Sequence, residues 1–157
     1  MPVVASGAFP SFSLGALGGG ERSLDAAWAT GEALILLGHR NCKTTRQTLP
    51  FVDRLHRRKA PQATVLAVLQ DDAETAATLV REQGFALPVL LEDDPYPLAA
   101  ALRLETVPTI FLVERGGSIV KAVEGFNRAE IEGFAARLGV AGPLFVPEDN
   151  APATKPG

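Results

Sequence analysis

The thiol of Cys42, the only cysteine in this 157-residue chain, is the side chain most suited to covalent chemistry. Cys42 lies in a polar elbow, residues 39–45, that follows the apolar run 33–37 and precedes helix-compatible sequence. A short apolar run bounded by turn residues predicts a buried strand, so we expect Cys42 at the start of a helix. There, unpaired backbone N–H groups and the positive end of the helix dipole favour the thiolate, which is the nucleophilic form of cysteine.

Basic residues are concentrated around this elbow. Segment 40–59 holds seven basic side chains and a single acid, Asp53, in a chain whose net charge is -3. Arg40, Lys43 and Arg46 are close enough in sequence to influence the thiol, and cations beside a cysteine favour its thiolate. The alternative is that these charges simply face solvent, as most charged side chains do.

His39 and Cys42 each allow two interpretations. His39 could accept the thiol proton or pair with the thiolate, or it could be a partly buried residue at the end of the strand. Cys42 could be a reactive nucleophile or an inert, buried thiol. Together they supply two metal ligands, whereas a protein zinc site takes three or four, so we predict no metal site.

The composition is typical of one globular domain with a substantial core. Hydrophobic residues make up 46% of the chain and charged residues 21%, an ordinary balance. The net charge of -3 disfavours a nucleic-acid partner. We predict no membrane partner, because no apolar run approaches the roughly 20 residues that span a bilayer. The absence of a signal-peptide pattern and the single cysteine suggest a cytoplasmic protein.

Apolar periodicity predicts strands that alternate with helices. The predicted strands are bounded by turn residues and cover residues 9–17, 33–37, 64–69, 88–91, 109–113 and 119–123. Helices are predicted after the second, third and fourth strands, together with a short helix capped by Ser23 and a closing helix capped by Asn127. Parallel strands joined by helices predict an α/β fold, with a central sheet, helices on both faces and a leading β-hairpin. We predict a flexible lead-in at residues 1–8, a domain at 9–141 and an extended tail at 142–157.

Several features around Cys42 resemble the thioredoxin-fold redoxins. This family holds thiol-disulfide oxidoreductases related to cytochrome-maturation proteins and, more distantly, the peroxiredoxins. Cys42 stands at the position of the family's nucleophilic cysteine, and Arg46 fits the residue directly after the motif. Pro50, eight residues beyond Cys42, matches a proline that kinks the family's first long helix.

The third point of resemblance lies far from Cys42 in sequence. Val107 and Pro108 directly precede a predicted strand, as the family's cis-proline segment does. The resemblance covers residues 9–138 and implies a thioredoxin-like fold with a central mixed sheet. It also implies that the Val107 backbone pairs with an extended peptide or thiol ligand in a groove beside Pro108.

The sequence departs from the family at the second cysteine. The usual Cys-x-x-Cys is Cys-Lys-Thr-Thr at residues 42–45, which puts Thr45 at the resolving position. A threonine cannot attack a mixed disulfide, so one chain cannot complete a dithiol cycle. The peroxiredoxin pattern fits no better, because Ile35 and His39 occupy the places of its proline and its threonine or serine.

Three functions are compatible with these residues. The first is a monothiol redox protein, in which Cys42 attacks a disulfide or a glutathione adduct and an external thiol such as glutathione resolves the product. The second is a one-cysteine peroxidase with an antioxidant role. The third is a non-catalytic binding module that holds a peptide beside Pro108. We rank them in that order and predict no bound cofactor and no particular oligomeric state. The candidate catalytic residues are Cys42, Thr45, His39, Lys43 and Arg46, and the candidate substrate-binding residues are Val107 and Pro108.

Overall fold

Seven strands form one mixed sheet in the computed structural model, which describes residues 2–157. These strands are β1 Ser13–Ala16, β2 Glu21–Ser23, β3 Ala33–Gly38, β4 Thr64–Leu69, β5 Val89–Leu91, β6 Thr109–Val113 and β7 Ile119–Glu124. A separate two-stranded sheet consists of β8 Phe126–Asn127 and β9 Thr154–Lys155. The α-helices are α1 Lys43–Arg58, α2 Ala73–Gln83, α3 Pro97–Ala101 and α4 Arg128–Arg137, and 3₁₀ turns cover Leu24–Trp28 and Pro147–Asp149.

The strand order across the large sheet is β2-β1-β5-β4-β3-β6-β7. Strands β3, β4 and β5 are parallel, and the others pair antiparallel with their neighbours. The first two strands form the predicted N-terminal hairpin. The α/β class with a central mixed sheet is therefore confirmed. No helix among residues 2–157 combines the length and the apolar character needed to cross a bilayer.

Strand β3 is buried along its whole length because helices cover both faces of the sheet. Leu34 and Leu36 point into a core shared with α1, α2 and α4. Ile35 and Leu37 point into a second core, with α3 and the first 3₁₀ turn. A strand buried on both faces needs no polar alternation, which explains the continuous apolar run in the sequence.

The N-terminal part differs from the prediction in two respects. The first strand is shorter than residues 9–17 and covers Ser13–Ala16, whereas the Phe9 N–H donates to the Gly117 carbonyl oxygen and its ring packs edge-on against Trp28 and Phe111. Ser23 does not cap a helix, since its hydroxyl donates to Asp25 and the residues that follow form a 3₁₀ turn. Of the predicted lead-in, residue 1 lies outside the described residues.

Residues 142–157 fold back along α1. Leu144 is completely buried in the core that α1 and α4 share. Phe145 packs against Phe51 of α1 and against Phe126. Strand β9 then pairs antiparallel with β8, which brings the last residues of the segment to the first turn of α1.

Candidate functional site

Cys42 is the N-cap residue of α1. Its backbone is extended, with φ -85° and ψ 118°, and its Sγ accepts a hydrogen bond from the Thr45 N–H at 3.4 Å. The Cys42 N–H donates to the carbonyl oxygen of His39 at 3.2 Å, and this turn joins the end of β3 to the helix. The thiol is half-buried. It therefore occupies the place where a helix offers free N–H groups to a negative charge.

Val107 faces the thiol from the loop before β6. The Cys42 thiol donates to the Val107 carbonyl oxygen at 3.3 Å, across 65 residues of sequence. The Val107–Pro108 peptide bond is cis, and Pro108 is buried. The hydroxyl of Thr109 donates to the Thr106 carbonyl oxygen at 2.7 Å and closes the loop. Because β6 pairs with β3, the start of β6 lies beside the end of β3 and its elbow.

Thr45 lies beneath Cys42 and is turned away from solvent. Its side chain is completely buried, and its Oγ1 has no hydrogen-bond partner among the residues that the structure describes. A Cβ built on Gly38 would lie 2.7 Å from the Thr45 Cγ2 and 2.8 Å from its Oγ1. Thr45 thus fills the space under the elbow and requires glycine at the end of β3, and its hydroxyl is not presented to a substrate.

The other three candidate catalytic residues make no hydrogen bond to the thiol in the described part of the chain. Lys43 is exposed at the first helical position, and the guanidinium of Arg46 donates to the carbonyl oxygen of Arg40. His39 lines an open groove of about 430 Å³ that Val107 also lines and Cys42 does not. The structure therefore brings together Cys42, Val107 and Pro108, and it leaves the side chains of His39, Lys43 and Arg46 at the periphery.

One arginine of the basic segment is paired with an acid from a distant part of the chain. Arg54 forms a two-pronged hydrogen-bonded ion pair with Asp149, at 2.8 and 3.0 Å. Hydrogen bonds from Arg54 and from the Val146 N–H lower the pKa of Asp149 to about 2. Arg54 therefore adds less to the local positive charge than the composition of the segment suggests, because its acidic partner lies 95 residues away in sequence.

Asp53, the one acid within the basic segment, has a structural role. Its carboxylate accepts from Arg57 at 2.8 Å and from the N–H groups of Ala86 and Leu87 at 2.7 and 2.9 Å. Burial opposes ionisation of Asp53, but these hydrogen bonds outweigh it and hold its pKa below the usual value. The bonds fasten α1 to the loop between α2 and β5.

Sequence reasoning missed the contact between the C-terminal segment and this site. The hydroxyl of Thr44 donates to the Pro156 carbonyl oxygen at 2.7 Å. Gly157 lies against Val107, so closely that a Cβ built on it would overlap the Val107 carbonyl oxygen. Leu144 and Phe145 were the available signal, because apolar residues in a polar, proline-rich tail indicate a docked segment.

The described residues offer no set of ligands for a metal ion. No group of three or more His, Cys, Asp or Glu side chains within residues 2–157 is placed to hold a metal ion.

Comparison with known proteins shows similarity in structure only. No family model matches the chain, and no curated protein sequence does. A candidate thiol:disulfide interchange protein DsbE from Chlorobium tepidum has a TM-score of 0.75 at 20% identity, covering 87% of this chain and 96% of its own. The thioredoxin domain of a thiol-disulfide oxidoreductase from Bacteroides vulgatus has a TM-score of 0.70 at 18% identity, covering 80% and 91%.

A third similar structure is named as a secreted disulfide oxidoreductase of Mycobacterium tuberculosis homologous to E. coli DsbE. It has a TM-score of 0.68 at 15% identity, and the match covers 80% of this chain and 94% of that one. Similarity at such low identity establishes the fold alone. The thioredoxin-like fold predicted from the sequence is thereby confirmed.

Proposed function

We propose that the protein is a monothiol thiol-disulfide oxidoreductase with Cys42 as its nucleophile. The observation that carries this proposal is the position of the half-buried thiol, at a helix N-cap and opposite the Val107 carbonyl oxygen. The Thr45 N–H directed at Sγ favours negative charge on sulfur. The carbonyl oxygen of Val107 accepts a hydrogen bond from the neutral thiol, and this contact is lost when the thiolate forms.

The reaction that we propose has two exchange steps. The Cys42 thiolate attacks one sulfur of a disulfide, forms a mixed disulfide and releases the other sulfur as a thiolate. An external thiol such as glutathione then attacks the mixed disulfide, and the bond to Cys42 breaks to regenerate its thiolate. With a glutathionylated substrate, Cys42 takes the glutathionyl group and releases the substrate thiol. Free glutathione then attacks the Cys42–glutathione disulfide and releases glutathione disulfide. Each cycle releases one sulfur of the substrate as a thiol and oxidises one external thiol, so full reduction of a protein disulfide takes a second external thiol.

Thr45 supports the monothiol form of this reaction. Its hydroxyl is a poor nucleophile toward sulfur, and the side chain is completely buried below the elbow. We propose that the disulfide substrate lies in the groove beside Pro108, and that the protein needs no metal or resident cofactor. The cytoplasmic location stays a prediction, and one structurally similar protein is named as secreted.

The test is incubation with glutathione disulfide at neutral pH, followed by intact-mass measurement. We expect a single adduct that dithiothreitol removes, and none on Cys42→Ser. Denaturing the protein in the same reagent controls for the reactivity of the thiol itself. If the folded protein forms no adduct, even when residues 154–157 are removed, the proposal is wrong and a non-catalytic binding module becomes the better explanation.

A further inference from the structure

The segment that follows α4 is held to the body of the protein by a built anchor. Arg54 binds the Asp149 carboxylate through both terminal nitrogens and also donates to the Leu144 carbonyl oxygen at 2.9 Å. The Glu132 carboxylate accepts from the N–H groups of Leu144 and Phe145 at 3.1 to 3.3 Å. These contacts fix where the segment begins its course along α1.

Beyond the anchor, the segment is positioned by its backbone. The Arg128 N–H donates to the Ala153 carbonyl oxygen at 2.9 Å, and its guanidinium reaches the Ala151 carbonyl oxygen at 3.1 Å. Lys155 then stands opposite Phe126 in the β8–β9 ladder. Backbone pairing of this kind is largely independent of side chains, and it is how an extended peptide adds to a strand.

The end of the segment lies on the candidate site. The Pro156 carbonyl oxygen accepts from Thr44, two residues after Cys42, at 2.7 Å. A Cβ at Gly157 would overlap Thr106 Cγ2 and lie 3.0 Å from the carbonyl carbon of Val107. The same Val107 carbonyl oxygen accepts from the Cys42 thiol at 3.3 Å. The Val107 carbonyl group therefore contacts both the Cys42 thiol and Gly157 at the end of the segment.

We propose that residues 151–157, here called the strap, are an intramolecular occupant of the substrate groove. The inference rests on the proposed function and adds to it the kind of partner that the groove accepts. That partner is an extended polypeptide disulfide, which pairs along β8 and must displace the strap. Small disulfides reach the half-buried thiol without displacing it. Strap release therefore selects between large and small substrates.

The size of the reagent provides the test. Cys42 is alkylated with N-ethylmaleimide and with a polyethylene-glycol maleimide, which share their chemistry but differ in bulk. Removing residues 154–157 deletes β9 and the Thr44 contact but keeps the Arg54–Asp149 anchor. Loss of the Thr44–Pro156 hydrogen bond and of the β8–β9 pairing should change the alkylation rate roughly tenfold to thirtyfold where the strap blocks the reagent. We expect that gain for the bulky reagent and less than about threefold for the small one.

A matched pair of glycine substitutions keeps the test valid if the shortened chain does not fold. Gly157→Val adds a side chain where Val107 and Thr106 leave no room, whereas Gly133→Val adds one where nothing lies within 4 Å. We expect Gly157→Val to accelerate the bulky reagent and to remove hydrogen-exchange protection at the Lys155 amide. Gly133→Val should change neither. Equal rates for both variants and the unaltered protein would overturn the inference.

The two proposals fail in different ways. If removal of residues 154–157 accelerates the bulky reagent but the folded protein forms no glutathione adduct, the strap covers a thiol that does not exchange with disulfides. The proposed function then falls, together with the disulfide partner, while the strap remains a cover of Cys42. If the unaltered and the shortened protein both form the adduct and the bulky reagent is unaffected by removal of residues 154–157, Cys42 is the nucleophile and the strap inference falls. Alkylation measures access to the sulfur and does not require turnover.

Discussion

Two buried threonines on α1 predict stability changes of opposite sign for the same substitution. Thr45 and Thr48 are both completely buried, but the Thr48 hydroxyl donates to the Thr44 carbonyl oxygen at 2.7 Å while that of Thr45 has no partner in the described chain. A buried hydroxyl without a partner costs about 1 to 3 kcal/mol, whereas a satisfied one contributes about 1 kcal/mol. Valine has nearly the same shape as threonine and no hydroxyl. We therefore expect Thr45→Val to stabilise the fold by about 1.5 kcal/mol and Thr48→Val to destabilise it by about 1 kcal/mol.

Urea unfolding measures this difference directly. The slopes of the two variants should equal that of the unaltered protein, since neither substitution changes the surface exposed on unfolding. In thermal unfolding of a chain of this size, the midpoint temperature should rise by about 3 to 6 °C for Thr45→Val and fall by about 2 to 4 °C for Thr48→Val. A loss of stability in Thr45→Val equal to that in Thr48→Val would refute the reasoning, because it would mean that the Thr45 hydroxyl is bonded. Retention of the glutathione adduct in Thr45→Val would show separately that this hydroxyl takes no part in the chemistry.

Three further predictions concern charged groups away from the thiol. Arg54→Met should lower the free energy of unfolding by about 2 kcal/mol, because it removes the arginine partner of the partly buried Asp149. Arg81→Met, at an exposed arginine of α2, should change the free energy of unfolding by less than about 0.5 kcal/mol, and equal losses would contradict the assigned anchor. Because the pKa of Asp149 is lowered from 3.8 to about 2, its stabilisation is complete above pH 4 and is lost as the pH falls toward 2. The free energy of unfolding of Asp149→Asn should therefore fall less between pH 4 and pH 2 than that of the unaltered protein. Burial raises the pKa of Glu92, whose Oε1 accepts from the Ala99 N–H while Oε2 is unpartnered within residues 2–157. The free energy of unfolding should therefore fall as the pH rises above 4.5, and Glu92→Gln should remove that fall. Parallel curves of unfolding free energy against pH for the two proteins would contradict this role of Glu92.

The neighbourhood of Cys42 was predictable because its signals are local. A continuous apolar run indicates a strand covered on both faces, and a polar elbow before helix-compatible sequence indicates a helix start. These patterns predicted β3 and the place of Cys42 at the head of α1. The Asn127 cap followed the same logic, and its Oδ1 accepts from the Glu130 N–H at 3.1 Å. Ser23 shows the limit, because a capping residue alone does not distinguish an α-helix from a 3₁₀ turn.

The partners of the charged residues could not be predicted in the same way. A stretch that reads as seven bases and one acid suggests a positive patch around the thiol. The structure ties Arg46 to a backbone carbonyl and Arg54 to Asp149, so neither guanidinium is directed at Cys42. The Arg54 pairing depends on how the chain returns to α1 after α4, and no feature of residues 40–59 encodes that path.

The sequence alone determined the α/β fold, the strand–elbow–helix unit that carries Cys42, and the absence of a second cysteine for a dithiol cycle. Only the tertiary structure decided that Val107 meets the thiol, that Thr45 is buried beneath it, and that Pro156 and Gly157 lie against Thr44 and Val107. The physical reason is the range of the interactions. Periodicity and capping act within a few residues, so they are visible in the sequence. The contacts of Cys42 with Val107, and of Thr44 with Pro156, join groups 65 and 112 residues apart and form only when the β3–β6 pairing and the docking of Leu144 bring them together.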